Sequence, residues 1–283
     1  MAAKVNLAEQ YDIKAFCDND GRKNGTQLLG ICVVSPQALS TIDYDLVVIA
    51  SEYFEQIQHQ LETQLAIPKQ KIQVLNASQI KSSHFDTSYA KQQAEQVLLS
   101  LCAVLERCQI KYYVDAGTLL GIVRDDGLIP WDDDLDIAVP SSMLAEIRQH
   151  QEQILAALQK ATACQWQITE WFAEQDFGLV KKGDTRSFKL TPLNPDSGLP
   201  LVDFFVKYLD EQTMDYVISS RGFTMPAGHM LHLAQQQFRG ANIYIPSDVE
   251  GYLSRHYGDW QTPNPNWTLE QIQSATVFKR VAQ

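Results

Sequence analysis

Asp115-Ala116-Gly117-Thr118-Leu119-Leu120-Gly121-Ile122-Val123-Arg124 runs on through Asp125-Asp126-Gly127-Leu128-Ile129-Pro130 to Trp131-Asp132-Asp133-Asp134-Leu135-Asp136-Ile137-Ala138-Val139. Gly117-Thr118 follows a short strand, Lys111–Val114, and opens a helical pattern. That placement predicts backbone N–H groups and a hydroxyl facing outward at a helix N-terminus, an arrangement suited to phosphate. Asp134 and Asp136 flank Leu135 at the start of the strand Leu135–Val139. Residues i and i+2 of a strand point to the same face, so the two carboxylates aim at one point.

Like charges held together cost stability unless a cation lies between them. A purely carboxylate donor set, with no Cys or His nearby, favours Mg²⁺ or Mn²⁺ over zinc. The bland alternative is a solvated acidic loop. Against it, the acids sit between Ile129-Pro130-Trp131 and the apolar Ile137-Ala138-Val139, which a solvated loop has no need of. A further carboxylate, Asp203, interrupts the apolar run Leu199–Val206. An unpaired Asp inside a strand is costly, so either a shared metal or a structural hydrogen-bonding partner must satisfy it.

Outward from this centre, residues 88 to 108 place Ala94, Val97, Leu98, Leu101, Val104 and Leu105 on one stripe of a core-facing helix. Ser82–Thr87 is expected as a linker. Residues 12–78 alternate short apolar strands with helical segments: Ile13–Cys17, Leu28–Val34, Asp45–Ala50 and Ile72–Leu75, with Ser35-Pro36 and Ser51 as helix starts. Such alternation predicts a small parallel sheet.

The chain has 283 residues, 45% hydrophobic and 20% charged, with a formal net charge of −11. That balance excludes a duplex nucleic-acid binder, although a bound divalent cation would still admit a phosphate-bearing substrate. Met1–Gln10 lacks a signal pattern, and no apolar run reaches the ~20 residues that span a bilayer. Five scattered cysteines, Cys17, Cys32, Cys102, Cys108 and Cys164, fit reduced thiols in a cytoplasmic protein.

The ordered string Gly117-Thr118-Leu119-Leu120-Gly121, Arg124, Ile129-Pro130-Trp131-Asp132-Asp133-Asp134-Leu135-Asp136 resembles the LicD/fukutin family of the nucleotidyltransferase superfamily. The likeness continues in Tyr252-Leu253, Tyr257-Gly258-Asp259-Trp260 and Pro263, and so covers roughly residues 85 to 265. It implies an α/β (α+β) nucleotidyltransferase-fold domain with a mixed sheet over residues 83–283. By the same resemblance Asp134 and Asp136 hold the metal, with Asp203 as third ligand or as base. Asp132 shapes the loop or binds a second metal; a plain turn acid is the other reading. Gly117, Thr118, Arg124 and Trp131 are the substrate-binding candidates; Arg124 is equally read as a partner for the acidic loop, and Lys181, Lys182 and Lys189 are by default solvated strand residues, one of them alternatively a phosphate contact.

Residues 1–82 resemble the second half of a Rossmann-like domain from sugar-modifying enzymes, through Ala15–Asp20, Gly30–Pro36 and Tyr44–Ser51. The first strand and its glycine-rich turn are missing, so Asp18 stands where a ribose-binding acid would without the pyrophosphate cradle. A structural or interaction role, a protein partner or self-association through residues 12–78, is the expectation. The activity implied is a metal-dependent phosphotransferase that moves a phosphorylated group from a nucleotide-activated donor to a glycan or sugar hydroxyl. Phosphocholine from CDP-choline leads; polyol phosphate, phosphoethanolamine, nucleotidyl transfer and a non-catalytic scaffold are the alternatives. Tyr112, Tyr113, Trp131, Trp171, Phe172 and Trp260 could cage a quaternary ammonium, or simply fill the core.

Overall fold

The computed structural model describes residues 11–51, 53–75, 85–218, 221–265, 267, 271–272 and 275–278. Met1–Gln10 and residues 82–84 of the expected linker lie outside them. Two compact units divide the chain, one of residues 1–82 with 279–283 and one of residues 83–278.

In the first unit, β1 (Phe16–Cys17) runs parallel to β3 (Ile31–Val34), while β2 (Gln27–Leu28) pairs antiparallel with β3. β4 (Val47–Ile49) and β5 (Ile72–Val74) form a separate parallel pair, with helix α1 (Phe54–Thr63) between them in sequence. The single parallel sheet expected here is thus replaced by two small sheets, one of them mixed. The reason is local: Leu29 and Gly30 both take positive φ, 54° and 76°, the combination that folds a two-residue hairpin back on itself. Pro36–Thr41 is a 3₁₀ helix, and Ser35 makes no side-chain cap. Ser51 does accept a bond from the Tyr53 N–H, 3.2 Å. The Asp18 carboxylate is engaged locally, by the Asp20 N–H at 2.9 Å and Lys23 at 2.6 Å.

The second unit contains α2 (Ser88–Arg107), β6 (Tyr113–Val114), α3 (Ala116–Asp125), β7 (Asp134–Pro140), α4 (Leu144–Thr162), β8 (Trp166–Phe172), β9 (Thr185–Pro192), β10 (Leu201–Leu209), β11 (Thr213–Ile218) and β12 (Arg221–Pro226). After these come α5 (Gly228–Leu231), the hairpin β13 (Leu233–Phe238) and β14 (Ala241–Pro246), α6 (Val249–Tyr257) and β15 (Ala275–Val277). Thr87 caps α2 by accepting from the Ala90 N–H, 3.1 Å. The main sheet follows the order β15-β12-β11-β10-β7-β6, with β9 on β10 and β8 on β9. β7 and β10 are parallel and the other pairings in this sheet are antiparallel, so the sheet is mixed.

Strand parity divides its two faces. Leu135, Ile137 and Val139 of β7 and Val202, Phe204 and Val206 of β10 are buried in one core with the α2 stripe and with Ile147, Ile154 and Leu158 of α4. The opposite parity carries Asp134, Asp136 and Asp203. Parallel register sets Asp203 directly beside Asp136, with Lys189 on the far side of Asp203 and Thr169 beyond it.

Helix α3 reaches this acidic face because two glycines let it approach. A side chain at Gly121 would lie 2.5 Å from the Gly127 carbonyl and 2.9 Å from the Ile129 nitrogen, both backbone atoms. Gly121→Ala is therefore expected to cost about 1–3 kcal/mol, read as a lowered urea midpoint with an unchanged slope. Unfolding indistinguishable from the parent would show that the 127–129 segment yields freely.

Candidate active site

The chain enters α3 from β6 through Asp115, whose N–H donates to the Asp136 carbonyl, 2.9 Å. It then turns at Ala116, which takes a left-handed φ of 42°, a conformation costing an L-residue roughly 1–2 kcal/mol. This sharp entry aims the first turn of α3 at β7. The Gly117 N–H donates to Asp136 Oδ2 at 3.1 Å, and Thr118 Oγ1 accepts from the Asp136 N–H at 2.9 Å. The outward-facing hydroxyl expected at Thr118 is thus corrected: it is buried and seated on the strand. A Cβ at Gly117 would run into the Asp132 carboxylate, so only glycine leaves room for the acids.

Asp132, Asp134 and Asp136 each offer a carboxylate oxygen, all within 4.8 Å of one another. Their alternate spacing gives them one face, and the Phe85 N–H holds the Asp132 carbonyl at 3.0 Å. An all-oxygen trio suits a hard cation such as Mg²⁺, Mn²⁺ or Ca²⁺. The electrostatics fit as well. Burial, then repulsion from Asp134, Asp132, Asp203 and Asp115, pushes the Asp136 carboxyl well above the usual carboxylate range. A divalent ion would relieve the same repulsion. Asp203 stands one strand over on the same face, its Oδ2 3.4 Å from Lys189 Nζ.

A buried ion pair that inspection of the sequence did not single out lies behind the trio. Lys207 Nζ is 2.9 Å from Asp115 Oδ2, both side chains being essentially without solvent exposure. The Tyr252 hydroxyl donates to Asp115 Oδ1, the Tyr113 hydroxyl lies 3.4 Å from that of Tyr252, and the Lys207 ammonium sits 3.2 Å above the Tyr216 ring. Burial alone would raise the Asp115 carboxyl, but Lys207, Tyr252 and His256 hold it below its ordinary value. Burial drives the His256 imidazole down to about 4, against the pull of Asp115. One signal for Lys207 was available: it follows Asp203 by four positions in the same strand and therefore shares its face.

The remaining candidates lie elsewhere. Arg124, at the far end of α3, binds Asp125 at 2.7 Å and the Trp260 carbonyl at 3.4 Å. Trp131 packs partly buried against the core. Lys181 Nζ donates to the Gly178 carbonyl, 2.7 Å. The aromatics do not form one cage: Tyr112 and Tyr113 are buried core, while Trp171 and Phe172 are half-exposed at the end of β8.

This geometry sets paired carboxylates on one strand beside a glycine-led helix start and a neighbouring acidic strand, an arrangement able to hold a hard divalent cation. Residues 109–248 match the family described as LicD/FKTN/FKRP, nucleotidyltransferase domain. Residues 2–73 match a C2185-like N-terminal domain. The uncharacterized protein RP689 of Rickettsia prowazekii is 28% identical over 170 residues, 58% of this chain and 54% of that protein. The ribitol 5-phosphate transferase FKRP of Homo sapiens is 22% identical over 175 residues, 61% of this chain and 32% of that protein. The lipopolysaccharide cholinephosphotransferase LicD of Haemophilus influenzae is 51% identical over 35 residues, 12% of this chain and 13% of that protein. The chain thus spans about half the length, or less, of these curated relatives. The crystal structure of ANT(2")-Ia in complex with adenylyl-2"-tobramycin aligns over 64% of this chain and 85% of that one, at 16% identity and a TM-score of 0.35, too distant a likeness to bear on the site.

Two outcomes follow from the buried network. Lys207→Met leaves Asp115 charged and unpaired and is expected to cost about 3–5 kcal/mol, most of it recovered in the double variant with Asp115→Asn; urea denaturation of the single and double variants tests this. His256 has a folded pKa below its unfolded value near 6.5, so the unfolded chain binds the extra proton. Stability is full above that value and falls as pH drops to about 4, by roughly 3 kcal/mol for this group. His256→Phe should remove that part of the pH dependence; an unchanged slope between pH 6.5 and 4.5 would contradict it.

Proposed function

We propose that the chain is a metal-dependent phosphotransferase acting on a glycan or sugar acceptor, with residues 83–283 as its catalytic domain. The observation that carries this reading is the convergence of Asp132, Asp134 and Asp136 on one face, with Asp203 beside Asp136. Mg²⁺, or Mn²⁺, is the proposed ion, held by this trio with Asp203 completing the acidic surround. When bound it supplies Lewis-acid neutralisation of the donor's phosphate charge and a template for its orientation.

The protein's own part is placement. Asp203 accepts the proton of the acceptor hydroxyl at a carboxylate oxygen while Lys189 steadies that carboxylate. The acceptor oxygen forms a bond to the donor's distal phosphorus, and the bond from that phosphorus to the bridging oxygen breaks. The nucleoside monophosphate leaves with the electron pair. Thr118 and the Gly117 N–H fix Asp136 so that the trio is aligned before substrate arrives. Arg124 and Trp131 are the proposed substrate-binding residues, Arg124 equally a partner of the acidic loop.

The 35-residue stretch shared with a cholinephosphotransferase supports phosphocholine from CDP-choline as the leading donor. The longer alignment with a ribitol 5-phosphate transferase favours a polyol phosphate as the second reading. Five unpaired cysteines support a reducing, cytoplasmic setting, and no helix among the described residues is long and apolar enough to cross a membrane. Residues 1–82 are proposed as a separate domain for a protein partner or self-association.

Incubation with Mg²⁺ and a panel of CDP-activated alcohols, with CMP release followed over time, tests the reaction; EDTA should abolish release, and silence across the panel would refute the reading. Mg²⁺ at about 100 times its Kd should stabilise the parent by about 2.7 kcal/mol, and Asp134→Asn and Asp136→Asn should lose both this shift and turnover while remaining folded. Removing a like charge should leave both variants at least as stable as the parent in EDTA. Asp203→Ala is expected to lower turnover at least ~100-fold and to raise the Mg²⁺ concentration required. Parental rates in any of these three variants would remove that residue from the site.

A further inference from the structure

A groove of about 510 Å³ lies in the second unit, between the start of α2, the turn from α4 into β8, and the β9–β10 connection. Its volume falls within the range of small-molecule sites. Ten of the described residues line it, none of them charged, in a chain of which 20% of residues carry charge. Tyr89 is 71% exposed and Leu193 50% exposed, so an aromatic ring and an aliphatic surface are presented to solvent. Gln93, Gln165 and Asn194 add carboxamides, which both donate and accept hydrogen bonds.

Placement ties the groove to the end of the sheet that carries the acids, around the strand ends from their face, since α2 and α4 pack on the opposite one. Leu199 precedes β10 by two positions, and β10 begins with Leu201 in register with Asp134. Leu193 follows the last residue of β9, and Gln165 precedes the first residue of β8. These three therefore sit at the end of the sheet where β7 and β10 begin, the end that carries the acids. The second wall is tied in the same way, because Phe85, one turn before Tyr89, bonds the Asp132 carbonyl. At ~3.3 Å per residue, Leu199 and Asp203 are about 13 Å apart along the chain, a span that a few linked sugar units bridge.

The lining also discriminates between ligands. A phosphate or nucleotide calls for Arg or Lys, which the groove lacks, and a purely apolar ligand would leave its carboxamides without partners. A neutral polyhydroxylated ligand satisfies both, its C–H face against Tyr89 and Leu193 and its hydroxyls on the amides. We infer that this groove is a neutral-saccharide subsite, holding the body of the acceptor while its terminal hydroxyl reaches Asp203. The inference rests on the phosphotransferase reading for the acceptor role, but saccharide binding itself requires neither metal nor donor.

The test uses the full chain in EDTA without donor, titrated with a panel of neutral mono- to trisaccharides (N-acetylglucosamine, methyl galactoside, lactose, maltotriose) and followed by protein-observed NMR. At least one sugar should bind in the millimolar range, with resonances of the groove moving. The Tyr89→Ala/Gln93→Ala variant, altered at solvent-facing positions of α2, should bind it at least about tenfold more weakly with an unchanged melting temperature. No binding by any sugar of the panel, or equal affinity in parent and variant, overturns the subsite. Failure of the phosphotransferase reading would appear instead as absent CMP release, with this binding intact.

Discussion

The contact between Lys207 and Asp115 joins pieces of chain that the site needs together. Asp115 ends β6 and opens α3; Lys207 lies on β10, four residues beyond Asp203. With both charges out of solvent, neither can let go without leaving the other unpaired, at a cost of several kcal/mol. The pair thereby fixes where α3 starts relative to β10. From that start, the Gly117 N–H and the Thr118 hydroxyl reach Asp136. The tyrosines around it complete the hydrogen bonding of Asp115 and supply a ring face to the ammonium, which makes a buried charge pair tolerable in an otherwise apolar interior.

In front of this pillar the balance is reversed. Asp132, Asp134 and Asp136 are packed at a separation that carboxylates do not choose, and burial makes the repulsion felt most at Asp136. The fold supports this arrangement with backbone and hydroxyl bonds to Asp136 and with glycine where any larger residue would strike Asp132. Stability is thus given up where a cation would be gained. Charge and metal-binding capacity thus sit on one face of β7 and β10, while a neutral polar groove lies at the same end of the sheet on the side of α2 and α4.

The first unit is built on different terms. Its core rests on Leu39, Ile49, Leu61 and Ile67, and its strands are two to four residues long. The turn at Leu29-Gly30 sends the chain back antiparallel instead of onward into a continuous parallel sheet. Asp18 is spent on its own turn, held by the Asp20 N–H and Lys23.

What the sequence determined by itself is whatever depends on local period. Alternation places Asp134 with Asp136, and Asp203 with Lys207, on one strand face whatever lies beside them; the helical repeat of α2 selects its buried stripe; the spacing of Gly117 and Gly121 marks a helix that something approaches closely. Tertiary structure decided which faces meet. That Asp203 stands in register with Asp136, that Lys207 finds Asp115, that Arg124 turns to Asp125 and Trp260, and that Tyr112 and Tyr113 are buried instead of caging a ligand all depend on which strand lies next to which. The neutral groove is of the same kind, because its walls come from three segments distant in the chain. Periodicity is a property of neighbouring peptide units, whereas strand order is set by how all the apolar faces are buried at once.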